Sequence, residues 1–114
     1  MQTQISGQQA EKKAVEHLQQ QGLKLVCQNY HTRVGEVDIV MKDGDTWVCV
    51  EVKYRHSHHH GYAAEFVTPS KMKKMVKAFE QFLLHKGLNP THTPLRIDVV
   101  ALDGHQLQWL KNIY

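Results

Sequence analysis

The chain carries only two cysteines, Cys27 and Cys49, among its 114 residues. That is too few for a disulfide framework, and both read as reduced thiols. Long apolar runs are missing as well. None approaches the roughly eighteen residues that a membrane-crossing helix needs. Residues 1–9 are polar, with neither a basic n-region nor an apolar h-region, so no secretory signal is expected and the expected compartment is cytoplasmic. There is no glycine-rich phosphate loop, which leaves a Rossmann-type cofactor unsupported, and no Ser/His/Asp order stands out. No internal repeat or change of composition divides the sequence, so residues 1–114 are expected to form one domain.

What is present is the mixture of a globular protein: 41% hydrophobic and 22% charged residues, with a formal net charge of +3. The charge is uneven. From Lys53 to Lys77 six bases (Lys53, Arg55, Lys71, Lys73, Lys74, Lys77) stand against one acid, Glu65, and the remainder is slightly acidic. Four histidines, His56, His58, His59 and His60, fall in the same window and add charge when the pH drops. A local basic field suits a polyanionic partner, nucleic acid being the commonest, although a solvated basic face fits the same count. The histidine run invites a zinc site. Structural zinc needs four ligands in fixed geometry, usually with cysteine, and neither Cys27 nor Cys49 has a matching partner nearby.

Periodicity divides the chain into seven elements. Residues 7–21 have Ala10, Ala14, Val15 and Leu18 at helical spacing, with Ser6 as the expected cap and Gly22 as the stop. Residues 23–29 form a short strand. Residues 35–42 alternate, with Val37, Ile39 and Met41 on one face and Glu36, Asp38 and Val40 on the other. The Asp43-Gly44-Asp45 turn then leads into a strand over 46–53, which makes an antiparallel hairpin. A loop after Arg55 precedes a second helix over 70–86, whose apolar stripe is Met72, Met75, Val76, Phe79, Phe82 and Leu83. Strands at 95–102 and 106–110 follow, the second at a sheet edge. Helix, three strands, helix and two strands predict an α/β fold with a mixed sheet flanked by helices.

The chemistry gathers around two short segments, Glu36-Val37-Asp38 and Glu51-Val52-Lys53. Residues two apart in a strand share a face, about 6.5–7 Å from one another. Glu51 and Lys53 therefore project together, and the hairpin brings Asp38 beside Glu51. Two carboxylates on a partly buried strand repel, and a hard divalent cation relieves the conflict. Lys53 would then orient or deprotonate an attacking water or stabilise charge at phosphorus. A salt bridge between Glu51 and Lys53 on a solvated face fits the same spacing. Glu11 lies in register with Ala14, Val15 and Leu18 and so faces the sheet, or else bounds an amphipathic helix. Glu36 shares a face with Asp38 and supports the site, and Gly35 is expected to supply a backbone conformation or a close approach that a side chain would block. Arg55, Lys71 and Lys74 are candidate phosphate contacts. Arg96 and Asp98 share a face of their strand and can pair with each other.

Asp38 with Glu51-Val52-Lys53 resembles the PD-(D/E)xK nuclease signature, with Val37-Asp38 standing where that pattern has Pro-Asp. The wider text resembles the YraN-like family of predicted endonucleases. The likeness rests on Glu11-x-x-Ala14-x-x-x-Leu18 with Gly22, Asn29-Tyr30, Gly35-Glu36-Val37-Asp38, Val50-Glu51-Val52-Lys53-x-Arg55, Thr68-Pro69-x-Lys71 and Arg96-x-Asp98-Val99-Val100. It runs from Gly7 to about Val100; Ala10 replaces the usual glycine, and the loop is richer in histidine. The resemblance implies a restriction-endonuclease-like αβββαβ core, similar also to archaeal Holliday-junction resolvases. It implies Mg²⁺ or Mn²⁺ held by Asp38, Glu51 and the Val52 carbonyl, Lys53 serving the hydrolytic water, and Glu11 as a supporting or second-metal acid. The function so implied is DNA phosphodiester hydrolysis, selective for branched or damaged structures rather than for sequence. A non-catalytic nucleic-acid-binding module is the alternative. Cutting both strands would take two copies, so a homodimer is expected.

Overall fold

The computed structural model describes residues 7–55, 67–104 and 106–114. Helix α1 spans Gly7–Gln20, followed by β1 (Lys24–His31), β2 (Glu36–Asp43), β3 (Thr46–Arg55), α2 (Pro69–His85), β4 (Leu95–Asp103) and β5 (Gln106–Leu110). A single 3-10 turn at Pro90–His92 leads into β4. The expected Ser6 cap, Glu65, the histidine run and the side chain of Arg55 lie outside the described residues.

The five strands form one sheet in the order β1-β2-β3-β4-β5. Neighbours run antiparallel except β3 and β4, which are parallel and joined through α2, as a crossover requires. The sheet is therefore mixed and flanked by two helices, an α/β arrangement compatible with a restriction-endonuclease-like core. The hairpin forms as its residues dictate. Asp43 pairs with Thr46 across the two-residue loop Gly44-Asp45, and Gly44 adopts the positive φ of 61° that such a loop favours.

Each helix buries its stripe against one face of the sheet. Ala14, Val15 and Leu18 of α1 pack with Ile39, Met41, Val48, Val50 and Val100. Met75, Ala78, Phe79, Phe82 and Leu83 of α2 pack with Val40, Cys49 and Ile97 on the other face. Phe79 and Phe82 are each 1% exposed, and full burial of such a side chain is worth about 1.5–3 kcal/mol. Thr68 caps α2 by accepting the Lys71 N–H at 3.1 Å, and Pro69 opens the first turn without wasting a donor.

One expectation fails here. Val37 does not share the α1 face with Ile39 and Met41 but belongs to the α2 cluster with Val40. The reason is a break in strand pairing. Register between β2 and β3 ends at Ile39↔Val50, and on the other side it passes from Gln28↔Ile39 to Tyr30↔Val37 around Asn29, whose φ is 55°. Strict alternation assumes a continuous ladder, and the β3 ladder stops before Asp38 while the β1 register continues through Tyr30↔Val37 and His31↔Glu36.

Candidate active site

Asp38 sits at that break, and the break positions it. One step beyond Ile39↔Val50 the register sets Asp38 across from Glu51. Glu51 follows the face of Cys49 and meets Lys71 of α2, while Val52 between Glu51 and Lys53 packs against the α1 cluster. Glu51 is well covered, with 14% of its side chain exposed. Its Oε2 receives two ammonium groups, Lys53 Nζ and Lys71 Nζ, each at 3.4 Å.

The charges of four carboxylates bear on this centre. Burial raises the Asp38 pKa first, and the charges of Glu51, Glu11 and Glu36 raise it further, to about 7. Glu36 also hydrogen-bonds Asp38 through its side chain and pairs with His31 Nδ1 at 3.3 Å. Burial together with Glu36 and Glu51 likewise pushes Glu11 upward, so the acid from α1 reaches the same field as the strand acids. Burial lowers the Lys53 pKa, helped by a hydrogen bond with Lys71 and opposed by Glu51. Burial also works against the charge on Lys71, but its bond to Lys53 and the charges of Glu51 and Asp38 outweigh it and raise its pKa. Acids outnumber bases, and Asp38 shares its proton with solvent near neutrality.

Lys53 meets Glu51 directly, and the charges of Glu11, Glu36 and Glu51 bear on Asp38. Lys71 goes beyond its expected place among peripheral phosphate contacts, whereas Lys74, also on α2, is exposed. The signal for this was the Thr68-Pro69-x-Lys71 spacing, which fixes Lys71 in the first turn of α2. Gly35 is corrected. A Cβ there would meet open space and its φ is not left-handed, so no side chain is blocked. What fixes the turn is Thr32, whose hydroxyl accepts the Val34 and Gly35 N–H groups at 3.1 Å and donates to the Gly35 carbonyl at 2.7 Å. Arg96 and Asp98 pair as expected, Nε lying 3.1 Å from Oδ1.

Among the described residues no three His, Cys, Asp or Glu side chains form a ready-made metal cage. Mg²⁺ does not require one, since it takes one or two carboxylates and completes its shell with water and substrate phosphate. An all-oxygen donor set of Asp38, Glu51 and the Val52 carbonyl, in a surplus of negative charge, has the chemistry that such a hard cation prefers.

Residues 10–102 match the uncharacterised protein family UPF0102. The chain belongs to UPF0102. Its likeness to other UPF0102 proteins runs nearly end to end. It is 45% identical to the UPF0102 protein of Colwellia psychrerythraea over 112 residues, covering 95% of this chain and 87% of that one. A UPF0102 protein of Pseudomonas fluorescens is 45% identical over 111 residues, 96% and 92% of the two chains. One from Vibrio cholerae is 43% identical over 108 residues, 93% and 88% of the two chains. Among the described residues no helix of this UPF0102 chain is long and apolar enough to cross a membrane.

Proposed function

We propose that this UPF0102 protein is a cytoplasmic, Mg²⁺- or Mn²⁺-dependent endonuclease of the PD-(D/E)xK type, akin to archaeal Holliday-junction resolvases and selective for DNA structure. One observation carries the proposal: Glu11 from α1, Asp38 from β2, and Glu51 with Lys53 from β3 act on one another in a single half-buried centre with more acid than base. A fold gains nothing from crowding carboxylates until one of them holds its proton near pH 7, but a cation-binding site requires them. Asp38, Glu51 and the Val52 carbonyl would hold the metal. When bound, it would supply an activated water and neutralise charge on the phosphoryl oxygens.

The chain's own groups do the rest. Lys53, held against Glu51, orients the attacking water, whose oxygen bonds to phosphorus as the bond from phosphorus to the departing sugar oxygen breaks. The water's proton passes to solvent, and the departing oxygen takes one from solvent. Glu11 and Glu36 add negative charge around Asp38, which draws a cation to the centre. The exposed lysines of α2, Lys73, Lys74 and Lys77, contact backbone phosphates without reading sequence. A homodimer would cut both strands.

A non-catalytic nucleic-acid-binding module is the second reading. Its support is that Glu51 already has two lysine partners and so needs no metal to satisfy it. Incubating the protein with linear, nicked, flapped and four-way-junction DNA separates the two, with Mg²⁺, with Mn²⁺ and with chelator. Cleavage that needs the metal and disappears in Asp38→Ala, Glu51→Ala and Lys53→Ala supports the nuclease. Binding that weakens with salt and never leads to cutting supports the module.

A further inference from the structure

We propose that Lys71 is a second catalytic lysine, which grips a non-bridging oxygen of the scissile phosphate beside Lys53. The proposal rests on the nuclease reading and assigns this α2 residue to the reaction rather than to the peripheral basic surface. Lys71 Nζ and Lys53 Nζ meet the same oxygen, Glu51 Oε2, at the same 3.4 Å, although the residues come from different elements. Their surroundings differ. The Lys53 side chain is 22% exposed and the Lys71 side chain 39%, so Lys71 is the one nearer solvent, from which a nucleic acid must arrive.

Local helix chemistry argues that Lys71 is there for a reason other than α2 itself. It lies in the first turn, just past the Thr68 cap and Pro69, where the positive end of the helix dipole favours an acid. The first turn of α2 contains no acid. A lysine there is unfavourable to the helix, and the anion that offsets it, Glu51, lies across on β3. Positions that break a local rule are the ones to suspect of function.

The chemistry needs such a cation. A phosphodiester is an anion, and Glu11, Glu36, Asp38 and Glu51 all repel it. Lys53 cannot face the attacking water and also shield the phosphate from those acids. During reaction the bond from water oxygen to phosphorus forms while the bond to the departing sugar oxygen breaks, and charge on the non-bridging oxygens must be held throughout. An ammonium already fixed at Glu51 is placed to exchange that carboxylate for the phosphate once Glu51 turns to a divalent cation.

The test compares Lys71→Met and Lys71→Arg with Lys74→Met, a lysine of the same helix that stays on the surface. Single-turnover cleavage of a labelled junction in Mn²⁺ is read beside its affinity, measured by anisotropy in Ca²⁺. Lys71→Met is expected to slow cleavage about 100-fold, with affinity kept within roughly threefold, and Lys71→Arg to recover most of the rate. Lys74→Met, at a surface phosphate contact, is expected to weaken binding and to lower its salt slope by about one. Circular dichroism and melting of each variant exclude misfolding as the cause. If Lys71→Met only weakens binding, or cuts as fast as the parent, Lys71 is a surface contact and the inference fails while the nuclease reading stands. A parent protein that cuts none of the substrates ends both.

Discussion

Two groups of charged side chains lie on opposite faces of the same sheet, and they are resolved in opposite ways. On the face of Val100 and Trp109, Asp98 is 0% exposed and its oxygens are fully engaged. Oδ1 accepts Arg96 Nε at 3.1 Å and the Asn112 N–H at 2.9 Å, and Oδ2 accepts Trp109 Nε1 at 3.0 Å. Arg96 reaches on to Asp43 at 2.9 Å, tying the hairpin end to β4 and the C-terminal segment. Around Glu51, on the α2 face, one carboxylate meets two lysines while the charges of Glu51, Glu11 and Glu36 drive Asp38 to about 7. A network in which the buried acid is fully paired holds structure together. An acidic surplus left partly open is a cost that the fold retains for a ligand.

Breaking each group separates these roles. The largest effect is expected at the open centre: Asp38→Ala or Glu51→Ala brings metal-dependent cleavage to background, and in Asp38→Ala the melting temperature stays near or above that of the parent. Stability lost in step with activity would mean that the acids are structural. Next comes Asp98→Ala, which leaves Arg96 with Asp43 alone and takes the acceptor from Trp109 Nε1 and the Asn112 N–H; it should lower the unfolding free energy by about 1–3 kcal/mol, read as an earlier denaturant midpoint. A midpoint that does not move would show that the network carries little. Smaller again is the rate loss in Lys71→Met described above.

The smallest effect is a pH dependence whose sign follows from Asp38. Its folded pKa of about 7 exceeds the ordinary 3.8, so the folded metal-free protein holds a proton that the unfolded chain gives up. Stability from this group is therefore highest at low pH and falls as pH climbs toward 7, where the crowded carboxyl is made to ionise. Melts of metal-free protein from about pH 5 to 8 should drift downward, and Asp38→Asn should flatten that drift. Adding Mg²⁺ at the upper end should restore the loss. A drift unchanged in Asp38→Asn would place its origin elsewhere.

Much of this was legible before folding, for identifiable reasons. Glu51 and Lys53 share a face because strand side chains alternate, and the Gly44 turn could only bring Asp38 back beside them. The stripe of α2 needed nothing beyond helical spacing. The expectation for Val37 failed because alternation holds only while a strand stays paired. Gly35 misled because a glycine at a strand start suggested a steric demand, when the Thr32 hydroxyl does the work. Lys71 looked like one of several surface lysines because a charge run does not reveal which member meets an acid twenty positions earlier.

The amino-acid order alone determined the elements, their apolar faces and the set of acids available to a site, since each depends on spacing within a few residues. Tertiary structure decided which charges were matched and which were left in excess. The parallel pairing of β3 with β4 through α2 carries Lys71 onto Glu51, and the packing of β5 carries Trp109 onto Asp98. Charge balance at a point depends on distance and burial, and neither exists until the chain closes on itself.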